Sequence, residues 1–355
     1  MKKIYIVLED GHVFEGERFG AEGEVLGELV FTTGMCGYVE TLTDPTYYGQ
    51  IVMHTFPLIG NYGIMEDFEC EKSYVKAYVV REWCDAPSNF RCEYDLDTYL
   101  KNQGIVGVCG VDTREITRVI RDNGVMNAKL VDDPSKVDFD ELKAYKITGA
   151  VEAVSCKEKY TVESEAHKAR VTLVDFGKTK SIVNELTKRG CDVTVVPSDT
   201  SAEDILATGC DGVVLSNGPA DPKENTAAIE EIKKLIGKVP MLGICLGHQL
   251  AALALGGDTV KLQYGHRGAN QPVKSTESGK TYITSQNHGY TVKPESLKAC
   301  GGVQSFVNAN DGDCEGMSYP DKKLVTTQFH PEACISPFNT QYVYDDFVKM
   351  IGGND

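Results

Sequence analysis

A cysteine between two glycines, where an apolar run gives way to a helical pattern, is the feature of this sequence best suited to chemistry. Residues 239–244 are almost wholly apolar, and Gly243, Cys245 and Gly247 then form a G-x-C-x-G motif. The motif is the thiol form of a nucleophile elbow, a tight strand-to-helix turn that presents its middle residue above a sheet. The helix N-terminus that follows places N–H dipoles beside the sulfur, which favours the thiolate and can bind an oxyanion. Taken alone, the motif fits an ordinary glycine-bounded strand end equally well.

A thiolate nucleophile needs a histidine that is itself oriented by a third group. Of the seven histidines, His330 has the most suitable surroundings, because it follows a strand-like run at 324–327 and Pro331 fixes the chain after it. Glu332, two residues beyond the histidine, can accept the ring N–H and hold one tautomer. His330 and Glu332 are therefore the best candidates to act with Cys245.

Two other histidines lie near candidate motifs. His248 is one turn into the helix after the cysteine, where a packing role is more typical than catalysis. His288, in the run SQNHGY at 285–290, could act as a base in principle but has no nearby carboxylate partner in the sequence. The remaining histidines have ordinary structural contexts: His12, His54, His167 and His266.

The charge of the chain disfavours two classes of partner. The 52 acidic residues against 36 basic ones leave a formal charge of −16. Nucleic acids and anionic membrane surfaces both require basic patches, so neither is expected as a partner. No apolar run approaches the roughly 18–20 residues that span a bilayer, and the start of the chain resembles a first strand rather than a signal peptide. We therefore expect a cytoplasmic protein.

The twelve cysteines are scattered and form no Cys-x-x-Cys pair. A zinc ribbon or a thioredoxin-like motif is therefore not supported, and no metal site is expected in this chain. Without an export signal, most of these cysteines are predicted to be reduced, buried and inert.

The chain divides into two parts with different patterns. Residues 1–152 contain short apolar runs separated by glycines, which predicts a mainly β domain with few helices. The segment 153–170 is polar and lacks periodicity, as expected of a linker. The second domain, residues 171–355, begins with buried-strand runs that alternate with helical patterns, which predicts a mostly parallel sheet flanked by helices. Beyond Asp258 the pattern returns to hairpins, and residues 340–351 are predicted to form a closing amphipathic helix. The expected fold class is therefore α/β, with the active site at the carboxyl ends of the parallel strands.

Several motifs together resemble a known family. GICLGHQ at 243–249 and HPE at 330–332 resemble the triad-type (class I) glutamine amidotransferases, and LSNGPADP at 215–222 and SQNHGY at 285–290 strengthen that likeness. Motifs of the leading domain resemble the small subunit of glutamine-hydrolysing carbamoyl-phosphate synthetase: LEDG at 8–11, VFTTGM at 30–35, GY at 37–38, LTDP at 42–45, GNYG at 60–63 and DTR at 112–114. Class I amidotransferases that serve anthranilate or guanylate synthesis are not similar over this domain. The resemblance covers essentially the whole chain.

The resemblance implies that this chain hydrolyses glutamine. Cys245 would attack the side-chain amide and form a γ-glutamyl thioester, His330 would take and return the proton, and Glu332 would orient His330. The backbone N–H groups of Gly218 and Leu246 would form an oxyanion hole. The glutamine would be held by residues of both domains: Thr46, Gly218, Ala220, Leu246, Gln249, Asn287, Gly289 and Tyr290.

The resemblance also implies a large partner subunit, in a heterodimer or a higher oligomer. That subunit would make carbamoyl phosphate from bicarbonate and ATP, with a divalent cation, for pyrimidine and/or arginine biosynthesis. The ammonia must stay unprotonated to act as a nucleophile, so a dry path to the partner is expected. The residues agree with this division of labour, because the sequence has no G-x-x-x-x-G-K-[ST] loop and no cofactor is expected in this chain.

Three departures from the family pattern affect the expected pocket. Ala220 stands where the family usually has glycine, which carries a cost if the backbone there needs a positive φ. Thr46 stands where serine is common, so the hydroxyl is kept on a stiffer side chain. The residues 334–339 (CISPFN) replace the usual S-P-G-P-H-D. The triad is intact, so an active enzyme is expected.

Two alternatives belong to other functional classes. A non-catalytic scaffold that kept the amidotransferase fold is expected to have lost Cys245, which is present. A stand-alone Cys-His hydrolase could use the same elbow, but it has no need of the leading domain or of Thr46. Co-purification discriminates the alternatives, because a hydrolase runs alone whereas a subunit runs with a partner of roughly a hundred kilodaltons.

Overall fold

The computed structural model describes residues 2–333 and 339–352, and the chain divides into two compact units between Thr148 and Gly149. The segment 153–170, predicted to be a linker, differs from that expectation because it forms structure within the second unit. It contains a short strand, Tyr160–Val162, that pairs antiparallel with Cys191–Pro197. This strand is exposed along its whole length at the edge of a sheet, so its sequence lacks the apolar alternation that marks a buried strand.

The first unit is mainly β. Its strands are β1 (Lys3–Leu8), β2 (Val13–Gly20), β3 (Val25–Thr32), β4 (Gln50–His54), β5 (Leu58–Ile59), β6 (Ala77–Val79), β7 (Glu82–Trp83), β8 (Val106–Cys109) and β9 (Met126–Val131). Its helices are α1 (Tyr38–Thr43), α2 (Leu96–Gln103), α3 (Thr113–Asn123) and α4 (Phe139–Ala144), with 3-10 turns at Pro45–Tyr47 and Pro134–Lys136. Seven strands close into a barrel in the order β1-β2-β8-β6-β4-β3-β9, while β5 pairs with β7.

Side chains of the barrel strands alternate between two apolar clusters, as the period of two requires. In β4, Ile51 and Met53 pack with the apolar face of α3, whereas Val52 between them packs in the cluster that contains residues of α1 and α2. Both sides of the barrel wall are therefore covered.

The second unit contains the large sheet. Its strands are β10 (Tyr160–Val162), β11 (Ala169–Asp175), β12 (Cys191–Pro197), β13 (Gly212–Leu215), β14 (Met241–Ile244), β15 (Thr259–Ser275), β16 (Thr281–Val292), β17 (Val303–Asn308), β18 (Cys314–Tyr319) and β19 (Leu324–Thr327). Its helices are α5 (Ala150–Val154), α6 (Lys180–Lys188), α7 (Ala202–Ala207), α8 (Thr226–Leu235), α9 (Leu246–Ala254) and α10 (Tyr342–Met350). Its 3-10 turns are Pro222–Glu224, Pro294–Cys300 and Pro320–Lys322.

Five adjacent strands of this sheet are parallel, in the order β12-β11-β13-β14-β19, and antiparallel strands extend both edges. Successive residues of β13 face opposite sides: Val213 and Leu215 pack with α8 and α9, and Val214 packs with α6 and α10. Because both faces are covered by helices, the parallel strands are continuous apolar runs. The α/β fold class predicted from the sequence is confirmed.

The register between the central strands β14 and β19 determines where Cys245 and His330 lie. Ile244, the last residue of β14, lies beside Thr327, the last residue of β19. The residues that follow these strands therefore emerge together at the carboxyl edge of the sheet, where open α/β sheets place their sites. Cys245 follows β14, and His330 lies three residues beyond β19.

None of the helices within the described residues is long and apolar enough to cross a membrane.

Burial of the central strand β14 is predicted to contribute to the stability of the second unit. Leu242 is fully buried among residues of the sheet, α6 and α10, so Leu242→Ala is expected to lower the free energy of unfolding by about 3 kcal/mol. Urea unfolding of the full chain followed by far-UV circular dichroism measures the change. Val303→Ala, at a residue 57% exposed, is the control and is expected to change stability by less than about 0.5 kcal/mol. Equal effects of the two substitutions would contradict the burial of β14.

Candidate active site

The backbone of Cys245 is strained. Its φ of 53° and ψ of −103° lie outside the regions that residues with a Cβ favour, which costs about 1–3 kcal/mol. The flanking glycines do not share this conformation, because neither Gly243 nor Gly247 has a positive φ. They are needed for space instead: a Cβ on Gly243 would lie 2.8 Å from the carbonyl oxygen of Gly247, and one on Gly247 would lie 2.3 Å from that of Leu215. The strain of the elbow is therefore carried by the cysteine itself.

The turn after β13 lies against the start of α9. A Cβ on Gly218 would lie 2.7 Å from Cδ2 of Leu246 and 2.3 Å from the carbonyl oxygen of Phe176. Ser216 fixes this turn, because its Oγ accepts the N–H of Phe176 at 2.9 Å. Leu246 begins α9, so its N–H has no acceptor within the helix. The structure thus brings together the two residues predicted to form the oxyanion hole.

His330 and Glu332 are paired as the sequence indicates. Nδ1–H of His330 donates to Oε1 of Glu332 at 2.8 Å, and both side chains are buried. Two hydroxyls also donate to this carboxylate: Oγ1 of Thr179 to Oε1 at 3.4 Å, and the phenol of Tyr344 to Oε2 at 3.3 Å. Thr179 is the N-cap residue of α6 but makes no capping bond with its side chain, so its hydroxyl serves the carboxylate instead.

The charge of Glu332 decides the protonation of its neighbours. Burial lowers the pKa of His330, but the Glu332 carboxylate and the interaction with Cys245 outweigh burial and raise that pKa well above its ordinary value. The imidazolium that forms when His330 takes a proton is therefore stabilised by this carboxylate. Its Nε2 is buried and has no hydrogen-bond partner among the described residues, so it remains free for proton transfer. Burial, and the nearby carboxylate, raise the pKa of Tyr344 well above its ordinary value, so the phenol stays a donor.

The sulfur of Cys245 is buried, and it has two polar neighbours besides His330. As a thiol it donates to the carbonyl oxygen of Asn287 at 3.8 Å, and it accepts from Nε2 of Gln328 at 3.6 Å. Gln328 was not among the residues predicted from the sequence. The available signal was its position, two residues before His330 at the end of a buried strand.

The residues predicted to hold glutamine are partly brought together. Nε2 of Gln249 donates to the carbonyl oxygen of Tyr290 at 2.9 Å, and the carbonyl oxygen of Asn287 lies 3.8 Å from the Cys245 sulfur, so α9 and β16 meet at Cys245. Gly289 lies between these two β16 residues. Thr46 belongs to the first unit, where its N–H donates to Asp44 and its side chain is largely buried; its predicted contact with glutamine stays a prediction.

Ala220 has a φ of 70°, in the left-handed region that favours glycine. The cost that the sequence made conditional on a positive φ is therefore present in the structure. Residues Cys334–Phe338, which differ from the family pattern, lie outside the described residues.

The other histidines near the site have partners. Burial lowers the pKa of His248 to about 3, and its Nδ1–H donates to the hydroxyl of Thr326 at 2.7 Å, which agrees with a packing role. His288 has no carboxylate near it in the sequence, but strand pairing brings it beside His266 and Glu315, and the potential metal-binding atoms of the three residues lie within 4.8 Å of one another. Hydrogen bonds already engage His266 on both ring nitrogens, to Asp311 and Asn308, so we read this group as a polar network.

The fold and the site define a class of protein. A strained cysteine at the carboxyl edge of a parallel sheet, with a His–Glu pair beside it, is the arrangement of an amidotransferase that uses a thiol. Residues 172–350 match the family described as glutamine amidotransferase class-I. The second unit is therefore a class I glutamine amidotransferase domain.

The first unit identifies the family more closely, because residues 6–130 match the carbamoyl-phosphate synthase small chain, CPSase domain. The chain is 49% identical to the carbamoyl phosphate synthase small chain of Clostridium perfringens, over 98% of this chain and 99% of that one. The identity to the chain of the same name from Bacillus anthracis is 50%, over 98% and 96%. That to the Listeria monocytogenes chain is 45%, over 100% and 98%. This protein belongs to the carbamoyl-phosphate synthase small chain family, as the motifs indicated.

Ala220→Gly is predicted to stabilise the second unit. Glycine removes the Cβ penalty of about 1–2 kcal/mol in the left-handed region, and part of that gain is offset by the greater entropy of the unfolded chain. The expected result is a rise of about 0.5–1 kcal/mol in the free energy of unfolding, measured with urea.

The matched control is Ala227→Gly, at an exposed position of α8, which is expected to lower stability by about 0.5–1 kcal/mol. The same sign for both substitutions would contradict the left-handed conformation at Ala220.

Proposed function

We propose that this chain is the glutamine-hydrolysing subunit of a carbamoyl-phosphate synthase, with Cys245, His330 and Glu332 as its catalytic triad. The single observation that carries the proposal is the placement of a strained cysteine and a Glu-paired histidine after two hydrogen-bonded central strands. Membership of the small chain family supports the wider assignment.

The first half of the reaction releases ammonia. His330 takes the thiol proton, and the Cys245 sulfur attacks the side-chain carbonyl carbon of glutamine. The negative charge that develops on oxygen is stabilised by the N–H groups of Gly218 and Leu246. The imidazolium then donates its proton to the amide nitrogen, and the C–N bond breaks. Ammonia departs, and the γ-glutamyl group remains bound to Cys245 as a thioester.

The second half restores the enzyme. His330 removes a proton from water, the hydroxide attacks the thioester carbon, and the C–S bond breaks to release glutamate. The proton returns to the sulfur. Throughout, Glu332 holds the imidazole through Nδ1 so that Nε2 faces the reacting atoms.

The remaining predicted residues would bind the substrate. Gln249, Asn287, Gly289 and Tyr290 would hold the α-amino and α-carboxylate groups, Thr46 would add a hydroxyl from the first unit, and Ala220 would border the pocket. The methyl of Ala220 is expected to reduce affinity for glutamine without preventing the chemistry.

The ammonia would pass along a dry path to a large subunit, which would use ATP, bicarbonate and a divalent cation. The carbamoyl phosphate would feed pyrimidine and/or arginine biosynthesis. We place the complex in the cytoplasm, since the eleven cysteines of the described residues are all unpaired, as in a reducing compartment. The intact triad favours this function over a non-catalytic scaffold, and the first unit favours it over a stand-alone hydrolase.

Glutamate release tests the proposal. The full chain is expected to hydrolyse glutamine weakly when alone and much faster with the large subunit, ATP and bicarbonate. Cys245→Ser is expected to lower glutamate release by more than about 10³-fold, because the alcohol has no comparable tendency to ionise beside His330. The measurement is glutamate formed per active site in a coupled dehydrogenase assay.

Ammonia supplied directly provides the control. The complex that contains Cys245→Ser is expected to make carbamoyl phosphate from ammonium chloride at the rate of the unsubstituted complex. Undiminished glutamate release by this variant would contradict the assignment of Cys245 as the nucleophile. If the unsubstituted complex released no glutamate, the alternative of a non-catalytic scaffold would be favoured.

The hydroxyl of Tyr344 is predicted to hold the triad carboxylate. Tyr344→Phe removes one donor from a buried charged group, so we expect kcat for glutamine hydrolysis to fall about three- to tenfold with KM within about twofold. The acid limb of the pH–rate profile is expected to move to higher pH, because a carboxylate with fewer donors attracts the proton of His330 more strongly and raises the pKa of that histidine further.

Tyr342→Phe is the matched control, since this residue lies on the same helix and its ring packs against Tyr282 rather than Glu332. It is expected to leave both kcat and the pH profile unchanged. Superimposable profiles for Tyr344→Phe and the unsubstituted chain would contradict a role for the phenol.

A further inference from the structure

Gln328 follows the central strand β19 as Cys245 follows its neighbour β14. The pairing of Ile244 with Thr327 places these next residues side by side at the edge of the sheet. Gln328 is fully buried, and its side-chain Nε2 lies 3.6 Å from the Cys245 sulfur, within hydrogen-bond distance for a sulfur acceptor. An amide is therefore directed at the nucleophile from the adjacent strand.

The orientation of this amide is set by its other end. Nε2 of Gln249 donates to Oε1 of Gln328 at 2.9 Å, and the same Nε2 also donates to the carbonyl oxygen of Tyr290 at 2.9 Å. A backbone carbonyl only accepts, so the Gln249 amide has one consistent orientation. Oε1 of Gln328 must then be the acceptor, and its N–H group must face the sulfur. The donors run in one direction, from Gln249 to Gln328 to Cys245.

His330 is the titratable group that interacts with Cys245, and its imidazolium also favours a thiolate. The two other polar neighbours of the sulfur favour different states. The Asn287 carbonyl accepts the S–H of the thiol and offers nothing to a thiolate. The Gln328 N–H donates to either form, and the bond is stronger to the charged sulfur, because charge-assisted hydrogen bonds are shorter and stronger than neutral ones. Cys245 and Gln328 are both buried, so solvent does not screen this difference.

We propose that Gln328 is a positioning residue that donates a hydrogen bond to the Cys245 sulfur and so favours its thiolate. The inference rests on the proposed function, in which this sulfur is the nucleophile. Gln328 acts through Cys245, and Gln249 keeps the donor directed at the sulfur.

The test is the reaction of Cys245 with iodoacetamide in the full chain without glutamine. Thiolates react and thiols do not, so the rate against pH reports ionisation of this one residue. Carboxamidomethylation is followed by mass spectrometry of the peptide that contains Cys245, with the exposed Cys36 as an internal reference. Gln328→Met keeps a side chain of similar length and removes the donor.

We expect Gln328→Met to lower the alkylation rate of Cys245 at pH 7 by about tenfold and to move its pH–rate profile about one unit to higher pH. The rate at Cys36 is expected to stay the same. In the glutaminase assay the loss is expected in kcat rather than in KM.

Thr327→Val is the matched control. Thr327 precedes Gln328, is fully buried, and its hydroxyl has no hydrogen-bond partner among the described residues, so the substitution removes an oxygen without removing a bond. Its alkylation profile is expected to superimpose on that of the unsubstituted chain. If Gln328→Met does not fold, judged by far-UV circular dichroism, Gln328→Leu removes the same donor and takes its place.

The possible results separate the two proposals. Identical Cys245 profiles with and without Gln328 overturn the role given to Gln328, even if glutamine hydrolysis falls, since the amide then acts on the substrate. Undiminished glutamate release by Cys245→Ser overturns the nucleophile of the proposed function instead.

Discussion

The buried carboxylate of Glu332 is the charge on which the arrangement of the second unit depends. A carboxylate almost fully removed from water is tolerated only when hydrogen bonds replace the lost hydration. The donors come from three places in the chain: His330 in the same turn, Thr179 at the start of α6, and Tyr344 in α10. Helices on one face of the sheet are thereby tied to the chemistry at its edge. Because removal of one donor leaves a buried charge with fewer hydrogen bonds, each of these residues stabilises the fold around the proposed site.

Close backbone approach is the second requirement, and glycine meets it without conformational strain. Gly243 and Gly247 bring β14, α9 and β13 so near that no Cβ fits between them. This contact holds the cysteine in a conformation that no short-range preference favours. The apolar residues of β14 that lead into the elbow, Leu242 and Ile244, are fully buried in the sheet. The packing of the central strands thus balances the strain of the elbow.

The parts of the site that the sequence predicts are those encoded locally. The elbow follows from one motif, and the pairing of His330 with Glu332 follows from a separation of two residues. Thr179, Gln328 and Tyr344 were not predicted, because they reach the site through strand register and helix packing that no local pattern records. For the same reason His288 gained a carboxylate neighbour only when its strand was paired. The edge strand β10 was not predicted, because all of its residues are exposed and its sequence therefore has no apolar alternation.

The strained residues of the second unit lie at two different edges of its sheet, and only one of these edges carries the candidate site. Of the non-glycine residues with positive φ in the described ranges, Ala220 and Cys245 lie in the turns after the adjacent strands β13 and β14, at the carboxyl edge. His167 and Lys323 lie before β11 and β19, at the opposite edge, where an ordinary turn suffices. In the proposed function, the strain at Cys245 has a catalytic reason, because the turn places the buried sulfur at the carboxyl edge, where the substrate would bind. At Ala220 no such reason exists, since glycine adopts the same φ without a Cβ penalty. The methyl group of Ala220 thus lowers the stability of the fold. Any benefit of this methyl group must come from its contact with the molecule that the pocket binds.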